Sequence, residues 1–137
     1  MSTINVDIIQ SASASNVTID TDLVVNGNNN IRPYRVYTAL ITQVDANDPT
    51  VVIMENTIGN IVWTRTNNGI YTGYLPGEFL AAKTFLSTSG DFSINPNNQA
   101  RQFFRNNDDY ISILTQINGI VTDGLLLDTP IEVRIYN

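Results

Sequence analysis

Apolar residues in this chain recur at every second position, in short runs, and that period decides what the chain can become. In YRVYTALITQV (34–44), Tyr34, Val36, Leu40 and Val44 fall on one side of an extended backbone, and Tyr37, Ala39 and Ile41 on the other. In YISILTQI (110–117), Ile111, Ile113 and Ile117 share a side opposite Ser112 and Gln116. NVTIDTDLVV (16–25) repeats the theme with Val17, Ile19 and Leu23. In IEVRIYN (131–137), Ile131, Val133 and Ile135 alternate with Glu132, Arg134 and Tyr136, which predicts a half-buried strand that closes its sheet. Successive side chains of a strand point to opposite faces, so each run can bury one face and must pair its backbone with a neighbour.

Between the runs stand clusters that favour turns: NGNNN (26–30), DANDP (45–49), NNG (67–69), PG (76–77), NPNN (95–98) and RNNDD (105–109). Short alternating strands punctuated in this way predict an all-β fold, an antiparallel β-sandwich of jelly-roll-like or immunoglobulin-like kind. At most one or two short helical turns fit beside it. GEFLAAKTFLS (77–87) reads equally as two helical turns or as an extended segment, and Gln99 to Arg105 as one short turn. Asn67-Asn68-Gly69 predicts a hairpin pairing IVWTRT with IYTGYL, because Asn and Gly tolerate positive φ. That pairing puts Trp63 on one face with Ile61, as a core aromatic, and Arg65 on the same face near the turn, reaching for water. Residues 1–31, with the small polar run SASAS (11–15), read as an arm or peripheral strand pair, and 32–137 as the sandwich domain.

Composition narrows the function. The chain has 137 residues, a net charge of −6 and only 15% charged residues. Its seven basic residues, six Arg and Lys83, are scattered singly. A nucleic-acid surface needs them clustered, and an anionic membrane does too, so neither partner is expected. Without cysteine or histidine there is no disulfide, no Cys or His nucleophile, no Ser-His-Asp triad and none of the usual zinc, haem or iron–sulfur sites. MSTINVDIIQ has neither the basic start nor the apolar run of a secretory signal, and no membrane insertion is expected.

Paired carboxylates remain the open route to hydrolysis, and the chain has three glutamates: Glu55, Glu78 and Glu132. Nothing in their spacing sets two of them across a groove. Asp20-Thr-Asp22, Asp45-Ala-Asn47-Asp48 and Asn106-Asn107-Asp108-Asp109 could ligate calcium, but none has the EF-hand spacing, and Asp and Asn are ordinary turn residues. Asn16-Val17-Thr18 fits a glycosylation sequon, read as a chance match in an Asn-rich chain. Tyr34, Tyr37, Tyr71, Tyr74, Tyr110, Tyr136 and Trp63 could stack on a sugar or fill a core or interface. Arg101 and Arg105, flanking Phe103-Phe104, read as solvated or paired with a nearby Asp. No catalytic, cofactor or metal residue is assigned.

The ordered series PYRVYTALITQ (33–43), ENTIGNIVWTRTNNGIYTG (55–73), EFLAAKTFL (78–86) and IEVRIYN (131–137) resembles a β-rich module that recurs in bacteriophage structural proteins. The resemblance implies a virion protein with no enzyme activity and no cofactor: a capsid decoration, head-fibre or tail-associated component. It implies self-association, as a homotrimer, and docking on other capsid or tail proteins. The residues outside the match, and within them Ile4, Val6, Ile8 and Ile9, suit a docking arm. The alternative reading is a module that binds a host-surface glycan or receptor.

Overall fold

The computed structural model describes residues 32–89 and 98–137, and these contain nine strands and no helix. The strands are β1 (Tyr34–Thr42), β2 (Thr50–Asn56), β3 (Val62–Asn67), β4 (Ile70–Tyr74), β5 (Thr84–Thr88), β6 (Gln99–Arg105), β7 (Tyr110–Ile117), β8 (Ile120–Val121) and β9 (Thr129–Tyr136). All pairs are antiparallel. One sheet runs β2-β1-β9-β5 and the other β3-β4-β7-β6, with β8 on β7. The two pack face to face as a β-sandwich. NVTIDTDLVV, the sequon, the Asp20–Asp22 pair and Ile4, Val6, Ile8 and Ile9 lie outside the described residues.

Alternation builds the core. Tyr37, Ala39 and Ile41 of β1 and Ile131, Val133 and Ile135 of β9 face Trp63 of β3, Tyr71 of β4, and Ile111 and Ile113 of β7. Phe79 and Leu126, both fully buried, enter this core from loops. Each large side chain taken out of water stabilises the fold by roughly 1.5–3 kcal/mol. The Tyr37 hydroxyl and the Trp63 indole nitrogen lie beside one another in the core, without the geometry of a regular hydrogen bond. Burial pushes the Tyr37 phenol up, and the indole N–H offsets part of that.

Three expectations change, and one open reading closes. IEVRIYN does not close its sheet: β9 lies inside it, between β1 and β5. Val44 leaves the face of Tyr34, Val36 and Leu40, because β1 ends at Thr42 and Val44 sits exposed in the following loop. Gln99 to Arg105 is strand β6, not a helical turn, since β7 offers a hydrogen-bonding rail along all seven residues, from Gln99 opposite Ile117 to Arg105 opposite Ile111. GEFLAAKTFLS, open between helical turns and an extended segment, forms no helix and is extended only from Thr84, in β5, after turns at Gly77-Glu78 and at 81–83. Phe79 is anchored in the core, Ala82 turns into positive φ at +61°, and Thr84 starts β5.

Hairpin β3–β4 turns at Asn68-Gly69, and of its three turn residues only Gly69 takes positive φ (+61°). A second tight hairpin, at Asn118-Gly119, has both residues at positive φ, +52° and +80°, and joins β7 to β8. β8 then prolongs the line of β4 along β7. Thr115 marks the junction: its N–H donates to Gly69 O (2.9 Å), its carbonyl accepts from Thr122 N (3.0 Å), and its hydroxyl donates to Thr122 O (2.6 Å). The junction leaves no room above Gly69. A Cβ there would stand 2.6 Å from Thr122 N and 2.7 Å from Thr115 O, both backbone atoms, whereas one at Gly77 (φ +71°) meets nothing within 4 Å. Gly69→Ala is therefore expected to destabilise by about 2–4 kcal/mol, and Gly77→Ala by only about 1–2 kcal/mol. Urea unfolding of the two variants checks this contrast.

Candidate interaction surfaces

Three polar regions could carry function: a network at one end of the sandwich, and the outer face of each sheet. Asp123, in the segment after β8, organises the network. Its Oδ2 accepts from Arg65 Nε (2.9 Å) and Nη2 (2.6 Å), and its Oδ1 accepts from Gly69 N (2.7 Å). The Tyr71 hydroxyl, 3.1 Å from Asp123 Oδ1, also lies 3.0 Å from Gln43 Oε1. Gln43, buried just after β1, accepts from Gly124 N (2.8 Å) and donates to the Asp45 carbonyl. Arg65 thus pairs with Asp123 instead of reaching into water, because the loop after β8 brings a carboxylate to it.

The electrostatics follow from this geometry. The Arg65 guanidinium, then the Gly69 amide and the Tyr71 hydroxyl, hold the Asp123 carboxyl below the usual range against its desolvation. Asp123 in turn raises Arg65 above its ordinary value. Burial pushes the Tyr71 phenol up. The network's groups are saturated by one another and by backbone, so its chemistry is to fix loops.

On the outer face of the four-stranded sheet, the Arg134 guanidinium lies over the Tyr34 ring at 4.8 Å and over the Phe85 ring at 5.3 Å. Tyr136 packs on Tyr34 with centroids 5.3 Å apart. Glu132 pairs with Arg134 and, as the first cause, raises it well above the ordinary arginine value. Beside this cluster an open groove of about 330 Å³ runs across the strands, lined by Thr38, Met54, Ser87, Thr88, Pro130 and Glu132 among others.

The outer face of the five-stranded sheet is chemically different. By register its rows are Val62, Tyr74 and Tyr110; Thr64, Thr72, Ser112 and Phe104; then Ile70, Leu114 and Gln102; and last Gln116, Ala100 and Val121. Thr66 extends β3 on this side. None of these described residues is charged. Thr72 Oγ1 stands 3.3 Å from both Thr66 Oγ1 and Ser112 Oγ, which gives a line of hydroxyls, and the Tyr74 and Tyr110 rings pair at 4.9 Å. The arginines of this sheet fall on the other side. Arg65 meets Asp123, Arg101 donates through Nε (2.9 Å) and Nη2 (2.6 Å) to Leu125 O, and Arg105 meets Phe79 O and Asp108.

The residues singled out in the sequence are dispersed by the fold. Glu55, the second-last residue of β2, lies on the outer face of its sheet; Glu78 pairs with Arg35 at 2.5 Å; Glu132 pairs with Arg134. Trp63 is buried, 6% exposed. Arg101 and Arg105 belong to a strand, with their heads held on loop carbonyls, and not to an exposed loop. Of the Asp-rich loops, Asp48 Oδ1 accepts from Arg65 N (2.7 Å), Asn107 Oδ1 from Asp109 N and Tyr110 N, and Asp109 Oδ1 from Gly77 N (2.7 Å). The Asp123 network went unforeseen. Its one readable signal was a loop carboxylate following an Asn-Gly hairpin.

The lowered Asp123 group sets a pH dependence. A depressed carboxyl contributes stability above its ordinary pKa of about 3.9 and loses it as pH falls through the lower folded value. Asp123→Asn is expected to destabilise by about 1–3 kcal/mol at neutral pH, with the gap to the wild type closing as the pH falls below the ordinary carboxylate range. Urea titrations across that range check it; a constant gap would contradict the assignment.

No family model, no curated protein and no solved structure matches this chain.

Proposed function

We propose that the chain is a structural component of a bacteriophage particle: a capsid decoration, head-fibre or tail-associated protein that self-associates and docks on capsid or tail. What supports this reading is how seven of the nine described carboxylates are engaged. Glu78, Asp108, Asp123 and Glu132 each hold an arginine, Asp48 and Asp109 hold backbone amides, and Asp128 holds the Thr42 hydroxyl. Groups tied in this way serve to keep a scaffold rigid, and the sheet faces are what the scaffold presents. The motif order at 33–137 points in the same direction.

Mass spectrometry of density-purified particles should detect the chain at a copy number stoichiometric with a capsid or tail protein, and its absence from particles would overturn the reading. In the same assay, a chain lacking residues 1–31, and with them Ile4, Val6, Ile8 and Ile9, is expected to fold but not to bind particles. Normal incorporation of that chain would remove the arm from its docking role.

The second reading, a module for a host-surface glycan or receptor, draws on one observation. Tyr74 and Tyr110, 40% and 38% exposed, present paired rings beside the Asn106–Asp109 turn, an arrangement on which a sugar ring can stack. Binding to a glycan array that disappears in Tyr74→Ala would favour it over the structural role.

A further inference from the structure

We infer that the outer face of the five-stranded sheet is the surface on which a second copy of this chain docks, face to face about a twofold axis. The inference rests on the reading of the chain as an assembling component and names the face that assembles. Charge is the first argument. A chain carrying −6 is repelled by its own copy, and an isologous contact sets the same patch on both sides. Any unpaired charge near the centre of such a contact would be desolvated at high cost. Among the described residues this face has none, because Arg65, Arg101 and Arg105 are turned to the inner side and held there. The opposite face of the sandwich carries Glu55, Glu132 and Arg134.

Composition and area agree. Val62, Tyr74, Phe104 and Tyr110 are 50%, 40%, 40% and 38% exposed, and Thr, Ser and Gln surround them. Aromatic residues with few charges are what the centres of interfaces are made of. Four strand positions about 4.8 Å apart, along an eight-residue β7, span on the order of 500 Å². Two such faces bury about 1,000 Å², the lower end for a specific contact, so the pairing should be concentration dependent. A single repeated face closes as a dimer, whereas a trimer needs two different contact patches on each copy.

Sedimentation equilibrium of the full chain across the micromolar range is expected to show reversible dimers. Placing carboxylates on the exposed face with Thr64→Glu and Gln102→Glu should raise the dimer dissociation constant at least ~10-fold, with circular dichroism unchanged. Val52→Asp, on the outer face of the other sheet, should leave it unaltered. In wild-type protein, hydroxyl-radical labelling of Tyr74, Phe104 and Tyr110 should fall as dimers form, while that of Phe85 and Tyr136 stays constant. A wild type that remains monomeric, an assembly undiminished by the face substitutions, or labelling of Tyr74, Phe104 and Tyr110 that ignores concentration would each overturn the assignment. Absence of the chain from particles would remove the virion role and leave this dimer test intact.

Discussion

The carboxylate of Asp123 holds together elements that the sandwich would otherwise leave loose. Through its two oxygens it meets a strand arginine, a turn amide and a core phenol, and through that phenol it reaches Gln43 beyond the end of β1. The two sheets therefore meet at this end through polar groups as well as through the apolar core. Such a network is favourable only when every member is satisfied, because each unpartnered group in a low-dielectric site costs its full desolvation. Here the guanidinium, the amide and the hydroxyl divide the carboxylate between them. Gly69 belongs to the same arrangement: its amide approaches Asp123 because no side chain separates β4 from the β7–β8 junction.

Much of the fold was legible because its signals are local. The alternation in β7 and β9 grouped Ile111 with Ile113, and Ile131 with Val133 and Ile135, and all five are buried, with Ile117 half-buried beside them. In β1 it separated Tyr37, Ala39 and Ile41 from Tyr34, Val36 and Leu40, and the packing makes the first set the inner one. Asn-Asn-Gly announced the β3–β4 hairpin, although Gly69 alone supplies the positive φ. What failed was non-local. Whether IEVRIYN lies at an edge depends on β5 pairing beside it, and nothing in those seven residues encodes their neighbours. QARQFFR shows the same limit, since a run of seven with two adjacent phenylalanines fits either period until β7 supplies a rail. Burial of Ser112, on the side opposite Ile111, arises from crowding by Thr72 and Phe104, which belong to different strands.

The polar surface was less legible than the core, for a physical reason. A lone Arg or Asp in a sequence carries no record of its partner, and these pairs span 58 residues in Arg65–Asp123 and 43 in Arg35–Glu78. The absence of charge among the described residues of one face is also invisible in composition. It follows from the inward parity of Arg65 on β3 and of Arg101 and Arg105 on β6, and parity is known only once register is fixed. The division is sharp: one sheet presents hydroxyls, amides and rings, the other an arginine between two aromatic rings with its glutamate.

β2 carries a bulge where its pairing with β1 slips opposite Thr38 and Ala39, in a chain rich in β-branched residues. β2 forms an outer edge of its sheet, and Val52, Ile53 and Met54 are exposed there with no charge among them. An edge of that kind invites another strand to add, and many copies held close together would multiply the opportunity. Met54 is the extra residue where the register slips between Ile53 and Glu55, so the outward row of amides and carbonyls falls out of step at its most apolar point. An incoming strand would find a few matched bonds on either side of the slip and no continuous ladder. The slip thus leaves the most apolar part of this edge without a regular template for strand addition.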